Sequence, residues 1–162
     1  MSPDDASLFI GAGDNVGMSG FTGAGYPKEV PAALVRRVAE AAARGDRLAV
    51  SVWTGASTAP ELDGALASVD AINLRMPYQS DPVSRAKINA GLLDYLDMHL
   101  SHVAQMVWEG AFGHLDVALI EVTGVTQMPV TFAPLATDDG STALMTSLAP
   151  MVMLVVPVAS SV

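Results

Sequence analysis

The chain has 162 residues, of which 51% are hydrophobic and 15% charged, and it contains no cysteine. These values predict one domain with a sizeable core, and they exclude a disulfide framework, a thiolate metal site and a cysteine nucleophile. The net charge of −9 argues against a nucleic-acid partner, which needs clustered lysines and arginines. All eight basic residues lie at or before Lys87, so a bound polyanion would contact the first half of the chain or another chain.

Strand and helix patterns alternate along the chain after a short lead-in at 7–10. Apolar runs predict strands at 15–19, 47–53, 71–74, 95–98 and 116–122. Helical spacing and stop signals predict helices at about 29–44, 61–67, 82–90 and 102–112, with Ser101 as the N-cap of the last helix and an irregular connection at 75–81. This alternation predicts a doubly wound α/β domain, with a mostly parallel sheet and helices on both faces. Ligands of such domains bind outside the carboxyl ends of the strands.

Three strand-end turns are predicted at that ligand edge. The first contains Gly20, Phe21, Thr22, Gly23, Ala24, Gly25 and Pro27, the second Thr54, Gly55, Ala56 and Ser57, and the third His99, Ser101 and His102. In the first turn, glycine lets the backbone approach a ligand, and the N–H groups that open the following helix are unpaired. Such donors suit a phosphate, or the oxyanion that develops on a thioester carbonyl. The glycine spacing matches neither the dinucleotide fingerprint nor a Walker motif, so a turn without a ligand remains an alternative.

Five ionisable side chains are candidates for chemistry or for a structural role. Glu121 ends the clearest strand at the ligand edge and is a candidate acid. His99 is a candidate proton carrier, although hydrogen bonding within its turn is the favoured role, and we expect no metal site. Glu61 and Asp63 lie in the first turn of a predicted helix, where carboxylates stabilise the fold without any chemistry. Arg75 is suited to a carboxylate or a CoA phosphate.

Four segments, in this order, carry a resemblance to a known family: SGFTGAGYPKEVP, WTGASTAPELDGALA, RMPYQSD and INAGLLDYLDMHLSHVAQ. Over about residues 7–124 the chain resembles the N-terminal half of the acetyl-CoA hydrolase/acetate CoA-transferase family. These are class I CoA-transferases, which include succinyl-CoA:acetate CoA-transferases. Gly20, Phe21, Gly25 and Pro27 match the family signature Gly-Phe-x-x-x-Gly-x-Pro near the active site. The resemblance implies that the chain is one of two related α/β halves and that the active site lies between the two halves.

The resemblance also implies a reaction, the ping-pong transfer of CoA between carboxylates. A glutamate attacks an acetyl-CoA or succinyl-CoA type thioester to give an acyl-glutamyl anhydride, and then a glutamyl-CoA thioester that a small carboxylate or water resolves. Coenzyme A enters as the acyl-CoA substrate, and no metal is implied. The family's nucleophilic glutamate belongs to its C-terminal half, which these 162 residues do not include. We therefore expect a partner, either a C-terminal half on another chain or a homo-oligomer.

Two other functions are compatible with the sequence. The first is a self-sufficient thioester hydrolase that uses Glu121 with His99. The second is a non-catalytic or truncated acyl-CoA-binding fragment. In each case the acidic residues 1–5, which are unlike the basic start of a signal peptide, predict a cytoplasmic protein.

The last part of the chain departs from the family pattern. Residues 140–162 carry no charge, but Pro150 and Pro157 interrupt them and no lysine or arginine flanks them, which argues against a membrane helix. The pattern predicts a helix at 141–148 and a buried strand at 151–156 instead. We predict a CoA-transferase-like domain at 1–124 and a divergent apolar segment at 125–162, packed on that domain. A truncated or frame-shifted gene end is the alternative explanation.

Overall fold

The computed structural model describes residues 1–122 and the backbone of residues 151–155. Six strands of these residues form one sheet in which every neighbouring pair is parallel. They are β1 (Asn15–Met18), β2 (Val50–Trp53), β3 (Ile72–Met76), β4 (Asp94–Tyr95), β5 (Val117–Glu121) and β6 (Met151–Val155). Their order across the sheet is β4-β3-β2-β1-β5-β6. The order reverses between β1 and β5, which makes this pair the topological switch point of the domain.

Five α-helices accompany the sheet in the described part of the chain. They are α1 (Pro3–Ser7), α2 (Glu29–Ala43), α3 (Ala65–Ser68), α4 (Pro82–Asn89) and α5 (Leu100–Trp108), with one π-helical turn at Pro60–Gly64 leading into α3. The predicted helix at 29–44 is confirmed as α2, which ends before Gly45, whose φ of +83° favours glycine.

Two apolar clusters show that helices cover both faces of the sheet. Val52 packs in the larger cluster, which contains residues of α2 and α3. Its neighbour Trp53 packs in the second cluster, with Val107 of α5. Because successive side chains of a strand point to opposite faces, α5 lies on the face opposite α2 and α3. The predicted doubly wound α/β architecture is therefore confirmed.

Several predicted boundaries are wrong in instructive ways. Residues 3–7 form a helix because Ser2 and Asp5 make a capping box, whereas the sequence predicted only a short lead-in at 7–10. β3 continues through Arg75 and Met76, which were predicted to begin an irregular connection. α5 begins at Leu100 rather than His102, and it ends at Trp108 rather than Phe112. β4 has two residues in place of the predicted four.

The C-terminal predictions are tested only in part. The strand predicted at 151–156 is found as β6 at 151–155, parallel to β5. The helix predicted at 141–148 lies outside the described residues, and the division of the chain at residue 124 stays a prediction. Within residues 1–122 and 151–155, every helix is too short or too polar to cross a membrane.

The larger cluster gives a test of the core. Leu66 of α3 is 0% exposed, whereas Leu92 in the loop after α4 is 69% exposed. We expect Leu66→Ala to lower the free energy of unfolding by about 2–5 kcal/mol, because it leaves a cavity in close-packed surroundings. The matched Leu92→Ala variant should change it by less than about 0.5 kcal/mol. Urea denaturation followed by circular dichroism measures both, and equal losses would show that α3 does not pack as described.

Candidate functional site

The glycine turn, residues 19–28, leaves the carboxyl end of β1 at the switch point. Gly20, Gly23 and Gly25 have φ values of +130°, +86° and +62°, so the turn depends on residues without a Cβ. Phe21 and Ala24 each donate their N–H to the other's carbonyl oxygen, at 3.0 Å in both directions. The segment between them is therefore a closed loop that projects from the sheet edge.

This closure limits which amides of the glycine turn can meet a ligand. The amides of Phe21 and Ala24 are used inside the turn and cannot serve a ligand. Among the described residues, the amides of Thr22, Gly23 and Gly25 have no acceptor, and Thr22 and Gly23 are exposed. The N-terminus of α2 follows at Lys28, and no side chain of the described residues caps it. The donors open to an anion are thus the loop tip and the first turn of α2.

Two side chains tie the glycine turn to β5. The Ser19 hydroxyl donates to the Gly25 carbonyl at 2.7 Å and accepts from the Glu121 amide at 2.9 Å. The Lys28 ammonium donates to the Tyr26 carbonyl and to both carboxylate oxygens of Glu121, each at 3.1 Å. It also lies 4.2 Å from the centroid of the Tyr26 ring. The back of the turn is therefore fixed, while its tip faces solvent.

These contacts define the role of Glu121 in this chain. The residue ends β5 beside the turn, as the sequence predicted, but its side chain is 7% exposed and Lys28 contacts both of its oxygens. A carboxylate held in this way is neutralised by its partner and is poorly placed to attack a substrate. The sequence did not predict Lys28 as this partner, although Lys28 is the only basic residue of the glycine turn.

His99 is not brought together with Glu121. It follows β4, and four strand spacings, about 19 Å, separate β4 from β5. Its Nδ1 accepts from the Ser101 amide at 3.4 Å and lies 2.7 Å from the Ser101 hydroxyl, so His99, rather than Ser101, caps α5. The His102 ring lies 5.7 Å away, centroid to centroid, and all three side chains are exposed. The third turn therefore shares the carboxyl edge of the sheet, but its hydrogen bonds stay within the turn.

The second turn, residues 54–57, contacts the first. The Gly55 amide donates to the Gly20 carbonyl at 3.3 Å. Thr54 donates to the Ala56 carbonyl at 2.5 Å, and Ser57 donates to Gln79 at 2.8 Å. All four residues of the turn are buried. Their side chains therefore serve the shape of the turn rather than a solvent-facing ligand.

Arg75 and Asp63 form a fully buried ion pair behind the second turn. Arg75 Nε lies 2.8 Å and Nη2 3.2 Å from the two Asp63 oxygens, and both side chains are 0% exposed. Of the two partners that the sequence suggested for Arg75, a carboxylate and a CoA phosphate, the structure shows a carboxylate, which belongs to Asp63 of the same chain. Thr58 donates twice to Asp63, from its amide at 2.7 Å and its hydroxyl at 2.6 Å. Thr58 and Gln79 lie in two of the segments that resemble the family, but no pattern in the sequence indicated a role for either residue.

Burial alone would raise the pKa of Asp63, but the charge of Arg75 and the hydrogen bonds from Arg75 and Thr58 outweigh it. The pKa is held below its ordinary value of 3.8, so Asp63 is ionised at neutral pH. Within the described residues, no group of three or more histidine, aspartate or glutamate side chains is arranged to hold a metal ion.

The fold and the site define a class of protein, a parallel α/β domain with a glycine turn at its topological switch point. The family model of the acetyl-CoA hydrolase/transferase N-terminal domain matches residues 1–147. The chain belongs to this family, and the resemblance seen at residues 7–124 is confirmed. The match also extends further along the chain than that resemblance.

Curated relatives agree with this assignment. The chain is 41% identical over 127 residues to a succinyl-CoA:acetate CoA-transferase of Clostridium kluyveri, covering 78% of this chain and 23% of the relative. It is 42% identical over 125 residues to a propanoyl-CoA:succinate CoA transferase of Escherichia coli, covering 77% of this chain and 25% of the relative. An acetyl-CoA hydrolase of Schizosaccharomyces pombe is 38% identical over 122 residues, covering 71% and 23%. The chain thus spans about a quarter of the length of the curated relatives it matches.

Solved structures show the same fold at low sequence identity. RipA from Yersinia pestis superposes with a TM-score of 0.71 at 18% identity, over 95% of this chain and 35% of that chain. The 4-hydroxybutyrate CoA-transferase from Porphyromonas gingivalis gives a TM-score of 0.55 at 18% identity, over 95% and 32%. A cysteine-to-serine variant of the decarboxylase AibA/AibB gives a TM-score of 0.66 at 13% identity, over 99% of this chain and 77% of that chain.

The glycine turn gives a matched pair of variants. A Cβ on Gly20 would lie 2.7 Å from Tyr26 Cβ, whereas a Cβ on Gly23 would have nothing within 4 Å. Both positions have positive φ, so both alanines are strained, but only Gly20→Ala adds a steric clash. We expect Gly20→Ala to lower the free energy of unfolding by more than about 2 kcal/mol and Gly23→Ala by about 1 kcal/mol. Denaturant titrations of the two variants compare them directly, and a larger loss for Gly23→Ala would contradict the turn geometry.

The Asp63–Arg75 pair predicts a pH dependence of stability. Because the folded-state pKa of Asp63 lies below its ordinary value, the unfolded chain binds the proton first as the pH falls. The stabilisation is complete at neutral pH and is lost from about pH 5 downward. Asp63→Asn should cost about 3–5 kcal/mol at pH 7, since it leaves Arg75 buried without its counter-ion. The difference between wild type and variant should shrink on going to pH 3, as measured by urea denaturation; a constant difference would exclude this linkage.

Proposed function

We propose that this chain is the N-terminal part of a CoA-transferase or acyl-CoA hydrolase. Its substrates are acetyl-CoA or succinyl-CoA type thioesters, with a small carboxylate or water as the acceptor. Membership of the acetyl-CoA hydrolase/transferase N-terminal family supports this proposal, as do relatives named for both transfer and hydrolysis. The proposal places the protein in acetyl-CoA and acetate metabolism and in the cytoplasm.

The glycine turn is the structural observation that carries the proposal. It lies at the switch point, is anchored on β5 through Ser19 and Lys28, and presents the amides of Thr22, Gly23 and Gly25 without acceptors among the described residues. A thioester carbonyl placed against these amides gains hydrogen bonds as it becomes an oxyanion. Loss of one such donor typically slows acyl transfer about 10²–10³-fold.

The attacking carboxylate comes from elsewhere in this proposal. Glu121 is the acid beside the turn, and its pairing with Lys28 makes it a structural group. The chain also spans only about a quarter of its relatives' length. In this proposal the nucleophilic glutamate and the rest of the CoA pocket are therefore supplied by a C-terminal half that lies outside these 162 residues.

A complementation assay tests the proposal. The chain is mixed with a fragment of the Clostridium kluyveri relative that begins after the matched segment, and acetyl-CoA is supplied with succinate or with water alone. We expect succinyl-CoA formation or free CoA release in the mixture and neither with the separate pieces, because each piece lacks half of the site. Thiol titration and chromatography of the CoA esters give the readout.

The controls separate failed assembly from failed chemistry. Size-exclusion chromatography reports whether the two pieces associate, and a fragment whose nucleophilic glutamate is replaced by alanine should associate without turnover. A stable complex that leaves every offered thioester unchanged would contradict the proposal. Acyl-CoA binding to the isolated chain by calorimetry, with turnover in no mixture, would favour a non-catalytic binding fragment instead.

A further inference from the structure

Stability alone does not explain the Asp63–Arg75 pair. Both side chains are fully buried, and removing two charges from water costs several kcal/mol that a pair of apolar residues would avoid. The guanidinium makes two parallel contacts with the carboxylate, at 2.8 and 3.2 Å, a geometry that fixes direction as well as distance. The role of the pair is therefore sought in the backbone groups that it holds in place.

The pair holds both ends of residues 54–58, which are the second turn and the residue that follows it. Arg75 Nη2 donates to the Thr54 hydroxyl at 2.7 Å and reaches the Ala56 carbonyl at 3.4 Å. Asp63 accepts the amide and the hydroxyl of Thr58, at 2.7 and 2.6 Å. The backbone from 54 to 58 is thus fixed by charge-assisted hydrogen bonds, which are stronger than neutral ones.

A second set of contacts restrains the same turn from the side of α4. Gln79 Oε1 accepts from the Ser57 hydroxyl at 2.8 Å and from the Asp81 amide at 2.7 Å. Asp81 in turn caps α4 through the amides of Val83 and Ser84. The turn at 54–58 is therefore held between β3, the π-helical turn and the start of α4.

The second turn bears directly on the glycine turn. The Gly55 amide donates to the Gly20 carbonyl at 3.3 Å, and the Thr58 methyl lies beside Gly20, 3.1 Å from where a Cβ would stand. Gly20 is the residue at which the chain leaves the sheet to form the glycine turn. A displacement of residues 54–58 would therefore move the base of that turn.

We propose that Asp63 and Arg75 are positioning residues for the glycine turn, acting on Gly20 through Thr58 and Gly55. The inference rests on the proposed function, because the glycine turn needs a fixed geometry if its amides are oxyanion donors. Asp63, ionised at neutral pH, keeps both Thr58 donors engaged. The pair contacts no substrate and acts only by holding the loop in place.

Amide hydrogen exchange in the 162-residue chain tests the positioning without any substrate. Thr58→Val keeps the methyl beside Gly20 and removes the hydroxyl donor to Asp63, whereas Thr58→Ser keeps that donor and removes the methyl. We expect Thr58→Val and Asp63→Asn to speed exchange of the Gly55 amide by about tenfold or more and to shift the backbone resonances of 20–25. Thr58→Ser should stay within about threefold of wild type.

Asp70→Asn is the matched control. It removes an aspartate that pairs with Lys87 at 2.5 Å on the surface, where its side chain is 72% exposed. This variant should leave the exchange rates and resonances of 20–25 unchanged. If Asp63→Asn does not fold, the Thr58→Val variant tests the proposal, since this variant retains the Asp63–Arg75 ion pair. Unchanged exchange at Gly55 and unchanged resonances at 20–25 in a folded Thr58→Val chain would overturn the proposal.

The complemented enzyme adds a kinetic readout. There, Thr58→Val should lower kcat about tenfold and leave KM for the acyl-CoA within about twofold, because a displaced donor weakens the transition state more than the ground state. An unchanged kcat in an active complex would overturn the proposal. If the wild-type complex itself proves inactive, the proposed function fails, and the exchange measurement still decides whether the pair positions the turn.

Discussion

β1 is hydrogen-bonded on both sides, to β2 and to β5, and the position of the site depends on this double pairing. The chain builds the sheet outward from β1 to β4 and then returns to the other side of β1. The loop that leaves β1 therefore lies between the loop that leaves β2 and the end of β5. Gly55 contacts it from one side and Glu121 from the other.

Charge at this edge of the sheet is balanced locally. The two cations beside the turns, Lys28 and Arg75, are paired with Glu121 and Asp63. Each pair contributes little net charge, so attraction of a negatively charged group rests on backbone N–H groups at the loop tip and at the start of α2. Such donors are directional and do not reorganise during a reaction, which suits an oxyanion more than a diffuse polyanion.

The sequence predicted the local features of the fold well. The strand at 15–18, the helix at 29–43 and the strand at 117–121 follow from patterns within single segments, which is the information that periodicity contains. β3 was predicted to stop before Arg75, but it continues through Arg75 and Met76. An arginine in a buried strand is unfavourable by itself. Its counter-ion Asp63 lies in another element, and no spacing rule connects the two.

The same limit applies to the candidate site. The sequence predicted where the glycine turn lies, and the resemblance predicted the family. It did not reveal that Phe21 and Ala24 use up each other's amides, nor that His99 rather than Ser101 caps α5. Glu121 was placed at the correct edge, but its partner Lys28 lies 93 residues away, and only the fold shows that this carboxylate is engaged.

The engagement of Glu121 bears on how the proposed reaction is divided between two halves. A carboxylate that attacks a thioester must have a free oxygen facing the carbonyl carbon, and both Glu121 oxygens face Lys28. The exposed residues of the turn, Thr22 to Ala24, lie on its solvent side. In the proposed enzyme the nucleophile must therefore approach from that side, where a second half would close over the turn. This chain then contributes fixed hydrogen-bond donors, and the attacking group arrives with its partner.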